Sequence, residues 1–233
     1  LYTSPHLETW RERIQVNGEW VSETALISAI SKVLNESDGE ETFFDLLTAA
    51  AFVSFREADC DFWILETGLG GRFDSTNVLA TEAAVVTSIE LEHTDVLGDT
   101  LEAIAAEKAG ILKSTAQCWS ALEPQHPAVP VLSEKSESLG QKLIHLSSAE
   151  PFALPEGFPY EGAIMRKNFQ LAQAVLSGLG VPVHAIQPLP PEEWVLPGRF
   201  EVRQLDDGRE VVLDVAHSAE SLAATLQAFR KAW

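Results

Sequence analysis

Apolar positions along this chain follow two rhythms, and their alternation predicts an α/β architecture. Asp61-Phe62-Trp63-Ile64-Leu65 and Ala83 to Ile89 are short, nearly unbroken apolar runs, the mark of buried strands. A smaller strand carrying Ile14 and Val16 leads into a turn at Asn17-Gly18. Helical spacing takes over elsewhere. Ser22-Glu23 opens a helix to about Leu34, with Leu26, Ile27, Ile30, Val33 and Leu34 on one side. Thr42 to Phe55 is a second helix, with a face of Phe43, Leu46, Leu47, Ala50 and Val53. Asp99-Thr100 caps a helix from Leu101 to about Ala109, which Gly110 ends. Gln117 to Leu122 and Val129 to Leu132 read as short strands around a proline-rich loop, and Ser133 to Lys142 as a surface helix. Tyr160 to Leu179 carries Leu171, Ala172, Val175, Leu176 and Leu179 at helical spacing. Pro182 to Pro191 is proline-dense and reads as a linker, with a boundary near residue 190. Phe200 to Leu205 and Glu210 to Val215 form a hairpin through Asp206-Asp207-Gly208, followed by an amphipathic helix from Ala219 to Phe229.

Composition narrows the class. The 233 residues are enough for one sizeable core, or for one domain and part of another. Acids outnumber bases 35 to 16, giving a formal charge of −19, and no Lys/Arg cluster occurs, so nucleic-acid binding is not expected. An acidic surface favours solubility and is compatible with a salt-adapted source. Cys60 and Cys118 are the two cysteines; they build no disulfide framework, which suits a reducing cytoplasm. No membrane span or signal peptide is read. The chain opens on Leu1-Tyr2-Thr3-Ser4-Pro5, which looks like the end of a strand, so it is expected to begin inside a domain.

Candidate chemistry gathers where strands end. Glu66 follows Leu65 and precedes Gly68, Gly70 and Gly71, which permit tight turns and close approach to a ligand. Carboxyl ends of parallel strands are where open sheets place ligands, although an ordinary strand-to-helix turn has the same appearance. Glu90, Glu92, His93 and Asp95 lie just past the second buried run, which favours a shared site. Lys108 shares a helix face with Leu101, Ile104 and Ala105, where a lysine must snorkel, pair or be neutral. Asn168 extends the stripe of its helix and is either a satisfied core amide or a ligand contact. His126, His145 and His184 are isolated and read as incidental.

Taken together and in order, several stretches resemble the folylpolyglutamate synthase/dihydrofolate synthase family of the Mur ligase superfamily. They are Thr3-Ser4-Pro5-His6-Leu7, Glu66 to Arg72, Asp74-Ser75-Thr76-Asn77, Glu92 to Gly98, Glu107 to Ile111, Pro197-Gly198-Arg199, and Leu213-Asp214 with His217. The resemblance covers nearly the whole chain. It implies a P-loop-type parallel sheet flanked by helices over residues 1–189, and the start of a smaller C-terminal α/β domain over 190–233. It implies an ATP-dependent ligase, cytoplasmic and monomeric, that joins L-glutamate to a folate or dihydropteroate carboxylate through an acyl phosphate. Ser4, Glu66 and His93 would ligate Mg2+, and Lys108 would be carbamylated. Asn168, Arg199 and Asp214 would contact ATP, and His217 would border the nucleotide or the amino acid. Thr42, Phe43, Gly71 and Arg72 would line the pteridine side. The family's P-loop has no counterpart in the sequence and is expected upstream of Leu1, with most of the C-terminal domain expected beyond Trp233. Phe73, Ser75, Val215 and Ser218 depart from the family's pattern, as does Met165-Arg166-Lys167. A folate- or nucleotide-binding module without catalysis is the alternative that these departures leave open.

Overall fold

The computed structural model describes residues 1–149, 153–154, 158, 160, 162–181 and 196–232. The chain forms two compact units, Leu1–Ala80 with Glu107–Ile111, and Thr81–Ala106 with Leu112–Trp233.

In the first unit, β1 (Gln15–Val16) and β2 (Glu19–Trp20) pair antiparallel. Asn17 and Gly18 turn between them at φ 53° and 85°, the left-handed pair that a two-residue hairpin requires. Helix α1 (Glu23–Glu36) starts at Ser22, whose hydroxyl accepts a hydrogen bond from the Ala25 amide at 3.1 Å. Helix α2 (Phe43–Glu57) starts at Thr42 in a reciprocal capping box with Asp45. The two helices pack on each other and on Tyr2, Ile14, Val21 and Leu65. Their buried stripes are rotated from the expected ones. Leu26 and Ala29 turn inward on α1 while Ile27 and Leu34 are exposed. On α2, Leu47, Thr48, Ala51 and Phe55 are buried while Phe43 is 45% exposed. Small residues at 29, 50 and 51 put the closest packing on the alanine side rather than on the largest side chains. Burying Thr48 is possible because its hydroxyl donates to the buried Tyr2 hydroxyl at 3.0 Å. Thr48→Val, which keeps the shape and removes the donor, is expected to cost about 1 kcal/mol in chemical denaturation.

The run at 61–65 is extended but is not a strand buried on both faces. It touches the chain's first residues in parallel: Tyr2 donates to the Ile64 carbonyl at 2.8 Å, and Glu66 donates to the Tyr2 carbonyl at 2.9 Å. Trp63 and Leu65 pack inward, whereas Phe62 and Ile64 are 60% and 63% exposed. The period of two wins over the apolar composition, because side chains on an extended backbone alternate between faces.

The second unit holds a three-stranded parallel sheet ordered β3 (Ala83–Val86), β4 (Gln117–Ser120), β5 (Leu143–His145). Helices α3 (Thr94–Leu97) and α4 (Leu101–Lys108) follow β3, and the Thr100 hydroxyl caps α4 by accepting from the Ala103 amide at 3.1 Å. Residues 129–132 are helical, not a strand: they open α5 (Val129–Ser138), with Pro130 in its first turn, where a missing amide costs nothing. A four-residue apolar run is too short to distinguish strand from buried helix. Helix α6 (Ala163–Gly178) lays Leu171 and Ala174 on Trp119 and Ala121. Hairpin β6 (Glu201–Gln204) and β7 (Glu210–Leu213) and helix α7 (Ala219–Ala232) follow expectation. Strand β5 was not anticipated, and it absorbs His145. The linker at 182–191 and the boundary near 190 lie outside the described residues. Among the described residues, no helix is long and apolar enough to cross a membrane.

Candidate functional site

Within the first unit the structure brings Ser4 and Glu66 together. The Ser4 amide donates to Glu66 Oε2 at 2.8 Å. Neither the Ser4 hydroxyl nor Glu66 Oε1 has a hydrogen-bond partner among the described residues, so each residue keeps an oxygen open to a ligand. Beyond Glu66 the chain folds into a loop around one side chain, Asp74. Its Oδ2 accepts the amides of Gly68 and Leu69 at 2.8 and 3.0 Å, and its Oδ1 accepts the amide and hydroxyl of Thr76 at 2.9 and 2.5 Å. Asn77 Nδ2 donates to the carbonyls of Arg72 and Gly110, both at 3.1 Å. The loop is docked on residues 107–111: Arg72 donates its amide to the Glu107 carbonyl at 2.9 Å, and its guanidinium lies 3.6 Å from the Glu107 carboxylate.

This docking explains the glycines. A Cβ on Gly71 would lie 2.9 Å from the Lys108 carbonyl oxygen, and one on Gly68 would lie 2.5 Å from the Phe44 ring. Gly70 adopts φ 67°. These residues are selected by close packing and turn geometry. Lys108 itself is half-buried at the end of α4, and no carboxylate pairs with its ammonium among the described residues. Thr42 is the helix cap: its amide and hydroxyl donate to Asp45 Oδ2 at 2.8 and 2.7 Å. Phe43 meets Trp10 edge-on at 5.2 Å, with the Arg13 guanidinium 5.5 Å from its ring centre. Hydrogen bonds from Ser75 and Thr42 hold the Asp45 carboxyl below its usual range. The stability that they supply is present above the ordinary carboxylate value and is lost as pH falls through the depressed one.

In the second unit His93 is exposed, with φ 51°, at the start of α3. Asp214 spends one oxygen on the Phe200 amide (2.8 Å) and the other on the Ala216 amide (2.7 Å), fixing the turn that carries His217. His217 Nε2 lies 3.3 Å from Glu92, and Ser218 donates to Glu90 at 2.8 Å. The segment after β7 is thus tied to the segment after β3, one of the two strand ends singled out by sequence. Arg199 is exposed in the turn before β6. Asn168 is exposed on α6, so it is not a core amide.

Residues 16–153 match the Mur ligase middle domain. The chain belongs to the Mur ligase family. The dihydrofolate synthase/folylpolyglutamate synthase of Escherichia coli K12 is 34% identical over 99% of this chain. A structure of E. coli FolC in complex with DHPP and ADP superposes with TM-score 0.82 at 31% identity, covering 99% of this chain and 58% of that one. A bifunctional folylpolyglutamate synthase/dihydrofolate synthase with Mn, AMPPNP and L-glutamate bound superposes at 0.78 with 29% identity, with the same two coverages. These similar proteins are named as dihydrofolate synthases and folylpolyglutamate synthases. The chain spans 58% of the length of its E. coli relative.

A groove of about 540 Å³ runs along the α1–α2 crevice past Lys32, Glu36, Glu41, Leu46, Val53 and Arg56, and none of the candidate site residues lines it. It is a solvent-open seam between two helices. The Ser4–Glu66 oxygens are the stronger candidate, because they are held by backbone geometry at the end of a parallel pairing. Among the described residues, no three His, Cys, Asp or Glu side chains form a metal cluster. The expected set of one serine, one glutamate and one histidine lies outside that pattern. Sequence reasoning missed Asp45 and the organising role of Asp74. An aspartate six residues after Gly68, within reach of amides freed by a glycine turn, was the available signal.

Proposed function

We propose that the chain is part of an ATP-dependent ligase that adds L-glutamate to a folate or dihydropteroate carboxylate. The observation that carries this is the Ser4–Glu66 pair, tied at 2.8 Å with two oxygens unspent, at the entrance to a loop docked on Lys108. The ligands named for the similar structures supply the substrate classes.

Hydroxyl and carboxylate oxygens suit a hard divalent cation such as Mg2+ or Mn2+, so the donor set fits the metal. Ser4 and Glu66 would hold it; His93, carried by the second unit, is assigned as a nitrogen donor. A divalent cation held there would supply positive charge to neutralise phosphate oxygens. In the reaction, a substrate carboxylate oxygen bonds to the γ-phosphorus and the bond to ADP breaks. The glutamate amine then bonds to the acyl carbon, phosphate leaves, and the amine proton goes to solvent or base. The chain's own residues orient these groups. Arg72, braced by Glu107, and Gly71, pressed on the Lys108 carbonyl, fix the loop on the acceptor side, with Thr42 and Phe43. Asn168, Arg199 and Asp214 are assigned to ATP, and His217 to the border of the nucleotide or amino acid. Lys108 is assigned as a carbamate: its neutral amine adds carbon dioxide and releases a proton.

The test is ADP formation by the full native polypeptide. It should require ATP, divalent metal, glutamate and a pteroate or folate together. Nucleotide binding without glutamate-dependent ADP formation would leave a binding module instead. Glu66→Gln should raise the Mg2+ concentration for half-maximal rate by about 10- to 100-fold. An unchanged metal titration would remove Glu66 from the ligand set.

A further inference from the structure

Asp45 does more than cap a helix. Its Oδ2 takes the amide and hydroxyl of Thr42, which completes the capping box. Its Oδ1 is then free of the helix, and it accepts the hydroxyl of Ser75, thirty residues on. Ser75 stands between Asp74 and Thr76, and Asp74 holds the amides of Gly68 and Leu69. Two sets of hydrogen bonds, joined by the Asp74–Ser75 peptide link, therefore connect the first turn of α2, through Asp45 and Ser75, with Asp74 and the turn that begins two residues after Glu66. All of its members lie in the first unit.

The cap alone does not require this. Thr42 already fills Oδ2, and an ordinary N-cap ends there. The second oxygen joins the Thr42–Phe43 edge to the glycine loop, two pieces of chain otherwise brought together by Gly68 against the Phe44 ring. A carboxylate that accepts from both segments fixes their spacing more tightly than apolar contact, because a charge-assisted hydrogen bond is short and directional. We infer that Asp45 and Ser75 are a positioning pair that sets the acceptor-binding edge, Thr42–Phe43, against the loop carrying Gly71 and Arg72. Neither touches the reacting atoms. The inference rests on the proposed ligase reading and adds to it the device that spaces the acceptor side.

The experiment is a double-mutant cycle on the full native polypeptide with Ser75→Ala, Asp45→Ala and both. Ser75→Ala should raise KM for the pteroate or folate acceptor about 10-fold, with kcat and the KM for ATP within about 2-fold. The double variant should be no worse than Asp45→Ala, since the one interaction is removed either way. Ser75→Thr, which retains a hydroxyl, should restore most of the acceptor KM. Effects that multiply, or an unchanged acceptor KM in Ser75→Ala, would overturn the pair. So would an acceptor KM and an ATP KM that rise together with a fall in Tm, which marks a merely structural bond. If the wild type forms no ADP, the ligase reading fails separately, and the same cycle is read from folate affinity by calorimetry. Equal folate affinity in all four proteins, or no folate binding in any of them, then overturns the pair.

Discussion

Lys108→Ala is expected to lower ligation by roughly 10³-fold while leaving Tm within about 2 °C of wild type. Both halves follow from position. The side chain leaves the last turn of α4 half-buried, beside the backbone against which Gly71 is packed. No described carboxylate pairs with it, so its loss breaks no ion pair, and truncating an unpaired half-buried side chain is usually within about 0.5 kcal/mol. Ile104 and Ala105, which anchor the helix, are untouched. The neutral amine of a lysine is the form that adds carbon dioxide. The product is an anion with two oxygens, able to orient the donors around a divalent cation. Carbon-13 bicarbonate gives an independent reading: wild type should show a carbamate resonance that Lys108→Ala lacks. A wild-type rate in Lys108→Ala would remove the lysine from the chemistry. Lost activity with the resonance still present would place the carbamate elsewhere.

The legible parts of the fold are those in which one local rule decides. Asn17-Gly18, Ser22, Thr42 and Thr100 are each committed by turn or cap chemistry, and each stands where the sequence puts it. The strands at Ala83–Val86 and Gln117–Ser120 were legible from composition and length, though their parallel pairing was not. Failure came where two rules compete over a short span. Val129–Leu132 is apolar enough for a strand, but Pro130 and the following serines and glutamates continue as helix. Phe62 and Ile64 look buried by type and are exposed by alternation. Strand β5 is three residues long and has no signal beyond its neighbour in the sheet.

For the site, the glycines and Glu66 were visible, but what packs against the glycines was not. Sequence gives a glycine's freedom, not what fills the space that it leaves. At Gly68 the space holds the Phe44 ring, and at Gly71 it holds the Lys108 and Glu107 carbonyls. Asp45 was hidden for a different reason. A capping aspartate satisfies its local role completely on paper, and its second partner, Ser75, is remote in sequence. Residues that act through tertiary hydrogen bonds leave no periodic trace.

Gly110→Ala is expected to be the most damaging single methyl in the first unit. Gly110 follows Lys108 by two residues, and a Cβ there would lie 2.3 Å from Arg72 Cα and 2.6 Å from the Arg72 amide nitrogen. These are backbone atoms, so no side-chain rotation can clear them. Either 109–111 or the loop must move. Moving the loop strains the Arg72 amide bond to the Glu107 carbonyl at 2.9 Å and the Asn77 bond to the Gly110 carbonyl at 3.1 Å. Overpacking of this kind costs about 1–3 kcal/mol, and two loosened hydrogen bonds add about 1 kcal/mol each. The expected loss is therefore about 3–5 kcal/mol in chemical denaturation, with the denaturant slope unchanged. Asn77→Ala separates the two contributions, because it removes the tie without the clash and should cost only the smaller part. A tolerated Gly110→Ala would mean that the loop does not rest on residues 107–111. The close packing at Gly71 would then no longer account for the paired glycines.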